Sequence, residues 1–170
     1  MRRTTMYNSP RIPELMNYEA AKQHYEKVVP IRGRHPEVRP LGAKRRYDHV
    51  TIAKEVTSNE KPNDPLGEFA TIYSCKLFGG QNTYINFYPD GSVKVRADSW
   101  CAPTTMMFLT YTLKALGDVY SANGKWYFIN HGGEAFHIKN ELHLHFVDGK
   151  GYRPINPVTE YRYKACLLYT

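Results

Sequence analysis

A short turn sequence near the middle of the chain constrains the fold more than any other feature. Pro89-Asp90-Gly91 separates two segments, 82–88 and 92–97, in which apolar and polar residues alternate. Alternation with a period of two predicts half-buried β-strands. Asp-Gly between such strands predicts a hairpin, because glycine readily adopts the positive φ that the turn needs. We therefore predict an antiparallel hairpin with Gly91 at positive φ.

Further strands are predicted where similar segments are bounded by turn residues. The predicted strands are 47–56, 69–78, 82–88, 92–97, 119–121, 125–130, 135–138, 142–147 and 161–169. Asn123-Gly124 predicts a type I′ turn, Asp148-Gly149 predicts another turn, and 139–141 is interpreted as the turn of a hairpin. Counting hairpins predicts an antiparallel sheet of six to eight strands.

Two helices interrupt this pattern. Asn17 is a candidate cap for a helix that runs to about Val29 and that Pro30 ends, with an apolar stripe of Tyr18, Ala21, Tyr25 and Val28. A second helix is predicted to begin at 103–105 and to end at Gly117, with an apolar stripe of Met106, Leu109, Leu113 and Leu116. The predicted fold class is α+β, a mainly antiparallel sheet with two helices packed on it. Residues 1–46 are interpreted as a helix and a basic arm, and 47–170 as the core of the same folded unit.

Composition argues against several classes of protein. Three cysteines without a CxxC pair argue against a disulfide framework and a zinc ribbon, and favour a reducing compartment. No apolar run approaches the ~18 residues of a membrane span, and no signal peptide is expected at the N-terminus. Neither a phosphate-binding loop nor a dinucleotide fingerprint is present, so no cofactor is predicted.

Positive charge is concentrated in the first third of the chain. The net charge is +7. Residues 1–50 hold 11 of the 23 Lys and Arg and 5 of the 16 Asp and Glu, which gives +6; the remaining 12 and 11 give +1. Such asymmetry predicts a polyanionic partner, of which nucleic acid is the commonest.

The segment 30–46 concentrates these cations on a stretch that prolines and glycines keep out of regular helix. The predicted nucleic-acid-binding residues are Arg32, Arg34, Arg39, Lys44, Arg45 and Arg46. Guanidinium groups match phosphate oxygens in pairs and stack on bases, so the expected partner is DNA or RNA. Two alternatives stay open: an acidic protein partner, or ion pairs within the domain.

Histidines offer a second kind of chemistry. His143 and His145 lie two apart in a predicted strand, so both rings share one face. They could share a metal, but no cysteine or carboxylate pattern completes a ligand set, and a polar strand face is the simpler interpretation. His49-Val50-Thr51 resembles half of a two-histidine phosphoesterase site, whose second half is missing. Cys101 between Trp100 and Ala102 is interpreted as an inert thiol. No catalytic residue is predicted, and a hydrolase that uses His49 or the His143/His145 pair stays open as a second alternative function.

Two groups of short motifs occur in a characteristic order. The first is 30–34 followed by Arg39-Pro40-Leu41-Gly42 and Arg45-Arg46; the second is 73–78, then 87–93, Trp100 and Pro103-Thr104-Thr105. This order resembles small, uncharacterised proteins encoded by tailed bacteriophages, over roughly residues 10–116. The resemblance implies a viral protein in the cytoplasm of a bacterial host, and leaves an inhibitor of a host defence or transcription component as an alternative. It implies no catalytic activity.

Overall fold

Two antiparallel sheets and two helices form the fold. The computed structural model describes residues 12–30, 37–42, 49–56, 71–97, 103–138 and 141–155. The helices are α1 (Tyr18–Lys27) and α2 (Pro103–Thr112). The strands are β1 (Val38–Pro40), β2 (Val50–Val56), β3 (Thr71–Leu77), β4 (Thr83–Phe87), β5 (Val93–Arg96), β6 (Gly117–Ala122), β7 (Lys125–Asn130), β8 (Ala135–Ile138), β9 (Glu141–Val147) and β10 (Gly151–Pro154). The predicted α+β class is confirmed.

The described strands divide between two sheets, where the sequence predicted one. The larger has the order β1-β2-β3-β4-β5-β9-β10, and the smaller has the order β6-β7-β8. All neighbouring strands are antiparallel. The predicted hairpin around 139–141 is wrong, because β8 pairs with β7 whereas β9 pairs with β5 and β10. Local turn residues cannot distinguish a hairpin from a change of sheet.

The predicted central hairpin is confirmed. Strands β4 and β5 pair with Phe87 opposite Val93. Gly91 has a φ of +92° and donates its N–H to the Tyr88 carbonyl at 3.0 Å. The second predicted turn, Asn123-Gly124, has positive φ at both residues, as a type I′ turn requires.

Helix α1 begins and packs as its sequence predicts. The side-chain oxygen of Asn17 accepts the N–H of Ala20 at 2.9 Å, which satisfies one of the free donors at the helix start. The rings of Tyr18 and Tyr25 lie 5.3 and 5.4 Å from the ring of Tyr73 on β3. These contacts bury the apolar stripe of the helix against the large sheet.

Helix α2 ends earlier than predicted. It stops at Thr112, and Gly117 is the first residue of β6, paired with Asn130. Gly117 does not take the positive φ of a helix-ending glycine. The glycine is instead explained by the close approach of β7, which leaves no room for a side chain. No helix in the described part of the chain is long and apolar enough to cross a membrane.

The large sheet has one apolar, buried face and one mostly polar face, on which Thr51, Ala53, Ile72 and Ser74 of β2 and β3 are also buried. The buried face carries Val50, Ile52, Cys75, Leu77, Ile85, Phe87, Val93, Val95, Leu142 and Leu144. The polar face carries Lys76, Tyr84, Asn86, Lys94, Arg96, His143 and His145. Trp126 and Phe128 of β7 and Phe108 and Leu109 of α2 complete the same buried cluster.

Candidate nucleic-acid interface

Part of the basic segment is an edge strand of the large sheet. The sequence predicted a loop or an extended arm, but residues 38–40 form β1 beside β2. Leu41 donates its N–H to the Val50 carbonyl at 3.1 Å. Since hydrogen-bonded and non-bonded pairs alternate in an antiparallel ladder, the nitrogen of Pro40 points away from β2. A proline whose nitrogen points away from the neighbouring strand is compatible with an edge strand, because no ladder hydrogen bond is lost. Pro40 occupies such a position in β1.

Arg39 is the one predicted binding residue that falls within the described residues. Arg32, Arg34, Lys44, Arg45 and Arg46 lie outside them. Arg39 is half-buried and lies opposite Ile52, on the face of the sheet that α1 covers. Its position makes it a contact between the edge strand and the helix.

Arg39 contacts Tyr25 of α1. The guanidinium carbon lies 4.2 Å from the centroid of the Tyr25 ring, and Nη1 donates to the Tyr25 carbonyl at 2.8 Å. The Tyr25 hydroxyl donates to Glu37 Oε2 at 2.9 Å. Burial, followed by this hydrogen bond, raises the pKa of Tyr25, so the phenol stays protonated and donates at neutral pH. Arg39 therefore holds β1 against α1, and the proposed phosphate contacts depend on the other five cations.

The two stretches that carry those five cations are attached to the same edge strand. Residues 31–36 connect Pro30 to Glu37, at the start of β1, and residues 43–48 connect Gly42 to His49, between the end of β1 and the start of β2. Chain connectivity thus places Arg32 and Arg34 before β1, and Lys44, Arg45 and Arg46 after it. Along the chain, residues 31–48 include β1 and hold six Lys and Arg against Glu37 and Asp48, so part of the excess charge of the first third is adjacent to β1 in sequence.

The end of the sheet where β2 starts also presents an exposed aromatic ring. Phe78 follows β3, its side chain is 67% exposed, and its ring lies 5.4 Å from the ring of His49 with an angle of 27° between the planes. Phe78 donates its N–H to the His49 carbonyl at 2.8 Å. This contact fastens the turn after β3 to the start of β2.

The backbone of Phe78 is strained. Its φ is +49°, and Gly79 and Gly80 follow with φ of +81° and +78°. The left-handed region costs a residue with a side chain about 1–2 kcal/mol, and a large aromatic residue is rare there. Sequence reasoning treated Phe78 only as the end of a strand. The two glycines after it were the signal that a turn with positive φ begins at this point.

On the polar face of the large sheet, several charged side chains contact other side chains of the same face. Lys76 forms an ion pair with Glu55, and the Tyr84 hydroxyl donates to Glu141. Burial, and then the hydrogen bond to Glu141, raise the pKa of Tyr84. The ammonium of Lys94 lies 5.7 Å from the Tyr88 ring. This face is consequently a less cationic surface than the basic segment.

The histidine pair lies on the polar face, as predicted. The ring nitrogen Nε2 of His143 lies 3.0 Å from the Ser92 hydroxyl, and the His143 ring lies 5.2 Å from that of Tyr88. His145 is opposite Arg153 of β10. Within the described ranges, no group of three or more His, Cys, Asp or Glu is placed to hold a metal ion.

The arrangement of the histidines does not form a two-histidine site. His49 precedes β2, and four inter-strand steps separate β2 from β9, which carries His143. Four steps of about 4.8 Å amount to roughly 19 Å, too far for two side chains to act on one phosphate. The Ser92 hydroxyl next to His143 also donates to Asp90 Oδ1 at 2.6 Å, and Ser92 is buried. That group therefore serves the β4–β5 turn.

The described cysteine offers no nucleophile. Cys75 lies in β3 and is fully buried. Burial raises the pKa of its thiol, which keeps it protonated. Cys101 lies outside the described residues.

Comparisons of the chain with protein-family models, with curated proteins and with solved structures find no match. The charge distribution and the geometry of the sheet edge are therefore the features of the molecule that bear on its function.

Proposed function

We propose that the chain is a non-catalytic nucleic-acid-binding protein that contacts phosphates through the basic segment on either side of β1. The observation that carries this proposal is the charge distribution: residues 1–50 hold a net +6 and the rest of the chain +1. Phosphate neutralisation by Lys and Arg supplies most of the affinity of sequence-independent binding. The proposed contacts come from Arg32, Arg34, Lys44, Arg45 and Arg46.

The fold supports this proposal by the way it anchors the segment. Strand β1 pairs with β2 over three residues, and the contact of Arg39 with Tyr25 holds it against α1. The first cationic stretch, residues 31–36, runs from Pro30 after α1 to Glu37 before β1, and the second, residues 43–48, runs from the end of β1 to the start of β2. The described residues at both ends of each stretch therefore belong to the packed fold. Fixed ends reduce the conformational entropy lost on binding. On the resemblance to bacteriophage proteins, the nucleic acid would be DNA or RNA in the cytoplasm of an infected bacterium.

The test is a salt titration of binding to duplex DNA, single-stranded DNA and RNA, followed by fluorescence anisotropy. If about four cations reach duplex phosphates, log K falls with log salt with a slope near −3.6. Replacing Arg45 and Arg46 by Ala is expected to flatten that slope by roughly 1–2 and to weaken all sequences alike, because phosphate contacts do not read bases.

The matched control removes two charges elsewhere. Lys125 and Lys150 are exposed residues at the β6–β7 and β9–β10 turns, and the double Ala variant is expected to keep the wild-type slope. Equal slopes for the two double variants would show that only net charge matters. Absence of binding at about 50 mM salt and about 10 μM protein, where non-specific binders usually register, would refute the proposal. The sequence-based alternative of an acidic host protein partner would then replace it.

A further inference from the structure

The turn between β6 and β7 carries the only Asn-Gly pair in the chain, Asn123-Gly124. Both residues are exposed, with φ of +53° and +73°. Ala122 pairs with Lys125 across them, so the loop has two residues and the positive φ values of a type I′ turn. An asparagine that precedes glycine is open to attack by the next backbone nitrogen, because glycine has no Cβ to hinder the approach.

The reaction that this pair can undergo needs only water. The backbone nitrogen of Gly124 attacks Cγ of the Asn123 side chain, the new N–Cγ bond closes a five-membered imide, and the Cγ–Nδ2 bond breaks. The amide proton of Gly124 leaves with the side-chain nitrogen as ammonia. Water then opens the imide at either carbonyl carbon, which leaves aspartate or isoaspartate at this position. In isoaspartate the chain continues through Cγ, so the backbone is one carbon longer.

The surroundings of Asn123 leave the reaction open. A Cβ placed on Gly124 would have nothing within 4 Å apart from that glycine and its two chain neighbours. The Asp90-Gly91 turn of the central hairpin is held more firmly, because Gly91 donates its N–H to the Tyr88 carbonyl at 3.0 Å and Asp90 Oδ1 accepts the N–H of Ser92 at 2.8 Å. An ionised carboxylate is also a weaker electrophile than an amide. Asn123 is therefore the more reactive of the two turn residues.

The conformation of the turn controls how often the reacting atoms meet. In a type I′ turn, ψ at the first central residue is about +30°, which points the following nitrogen away from that residue's side chain. Attack on Cγ therefore requires rotation about the Cα–C bond of Asn123, which opens the turn. Opening needs little free energy here, because the turn is the tip of a hairpin at the edge of the small sheet, and on β7 the buried cluster begins only at Trp126.

We propose that Asn123 is the first site of spontaneous deamidation in the chain, that opening of the β6–β7 turn limits its rate, and that conversion to isoaspartate keeps the turn open. A two-residue turn fixes the pairing of Ala122 with Lys125, so one additional backbone carbon moves the two strands out of register. The change is irreversible because ammonia has left. The inference does not depend on nucleic-acid binding.

The experiment incubates the purified chain at neutral and at mildly alkaline pH, where the attacking nitrogen loses its proton more readily. Peptide mass spectrometry locates the mass that is gained when an amide becomes a carboxyl group, and fragmentation distinguishes isoaspartate from aspartate. We expect the peptide that spans Asn123 to change before any other asparagine-containing peptide, and to change faster at the higher pH. It should change faster still in urea, which removes the turn.

The matched control is Asn123→Gly, because Gly-Gly also forms type I′ turns but has no side-chain amide. After incubation, the urea midpoint of unfolding should fall for the wild type and stay unchanged for Asn123→Gly. If Asn123 changes in urea but not in the folded protein, the turn protects the pair and the proposal is refuted. Earlier modification of another asparagine in the folded protein refutes it as well, and so does conversion of Asn123 to isoaspartate without a lower midpoint.

Discussion

A Cβ atom placed on Gly117 would lie 2.3 Å from the carbonyl oxygen of Ile129 on the neighbouring strand β7. It would also lie 2.8 Å from the ring of Phe128, a member of the buried cluster. Because the first of these atoms belongs to the backbone of a paired strand, it cannot move away at small cost. The close pairing of β6 with β7 at this point therefore requires glycine.

Replacing Gly117 by Ala is expected to lower the free energy of unfolding by about 1–3 kcal/mol, the usual range for overpacking a dense interior. Urea denaturation monitored by circular dichroism measures it. Asn at the same position should destabilise the fold at least as much, because the limit is space and not φ. An Ala variant as stable as the wild type would show that β6 and β7 are farther apart here.

At Gly91 we expect the loss of stability on substitution to be set by the backbone φ and not by space, the reverse of Gly117. Its φ is +92°, and apart from Gly91 itself and its two chain neighbours no atom lies within 4 Å of the position a Cβ would take. Gly91→Val should therefore cost about 1–3 kcal/mol through backbone strain alone. Gly91→Asn should cost less, since Asn is the residue that best tolerates a left-handed backbone. Thermal melts of the two variants decide this, and equal melting temperatures for Val, Asn and the wild type would contradict it.

Arg39→Ala is expected to affect stability more than nucleic-acid binding. The change removes a hydrogen bond from a charged donor and a cation–π contact with Tyr25, which together predict a loss of about 1–3 kcal/mol. Arg39→Lys should lose less, because the charge remains near the ring. The salt slope of DNA binding should stay at the wild-type value for both. A stable Arg39→Ala variant with a flattened slope would instead make Arg39 a phosphate contact.

His24 is expected to make the fold less stable in mild acid. Burial, the largest effect, lowers the pKa of His24, and Lys27 adds to it, while backbone hydrogen bonds with Leu41 and Pro40 oppose it. The folded state therefore binds this proton more weakly than the unfolded chain, in which histidine titrates near 6.5. The stability that the fold gains from keeping the His24 ring neutral is fully present above about pH 6.5 and is lost as the pH falls below that value.

The measurement for His24 is urea denaturation at about pH 7.5 and about pH 5.5 for the wild type and for His24→Gln. Glutamine stays neutral at both values, so the variant should lose less stability between them than the wild type does. Equal losses for the two proteins would show that His24 does not contribute to the pH dependence.

The sequence alone determined those features of the fold that depend on only a few neighbouring residues. Asn17 capped α1 and Gly91 took positive φ because capping and turn geometry depend on one or two side chains and their own backbone. The alternation of Leu142, His143, Leu144 and His145 placed the leucines inside and the histidines on the polar face for the same reason.

Tertiary structure decided what depends on contacts between distant segments. From the sequence, Gly117 was interpreted as the residue that ends a helix. In the structure, the close approach of the Ile129 carbonyl oxygen explains why this position is glycine, and no local sequence pattern predicts contact with a strand twelve residues away. The segment 135–138 pairs with β7 and not with β9, and Phe136 and Ile138 lie opposite Phe128 and Trp126 within the single buried cluster, a contact that no local turn sequence reports. Arg39 looked like one of six equivalent cations, and only the packing of α1 on the sheet edge brought Tyr25 against it. Phe78 likewise became an exposed ring beside His49 because β3 and β2 pair in a register that places them side by side.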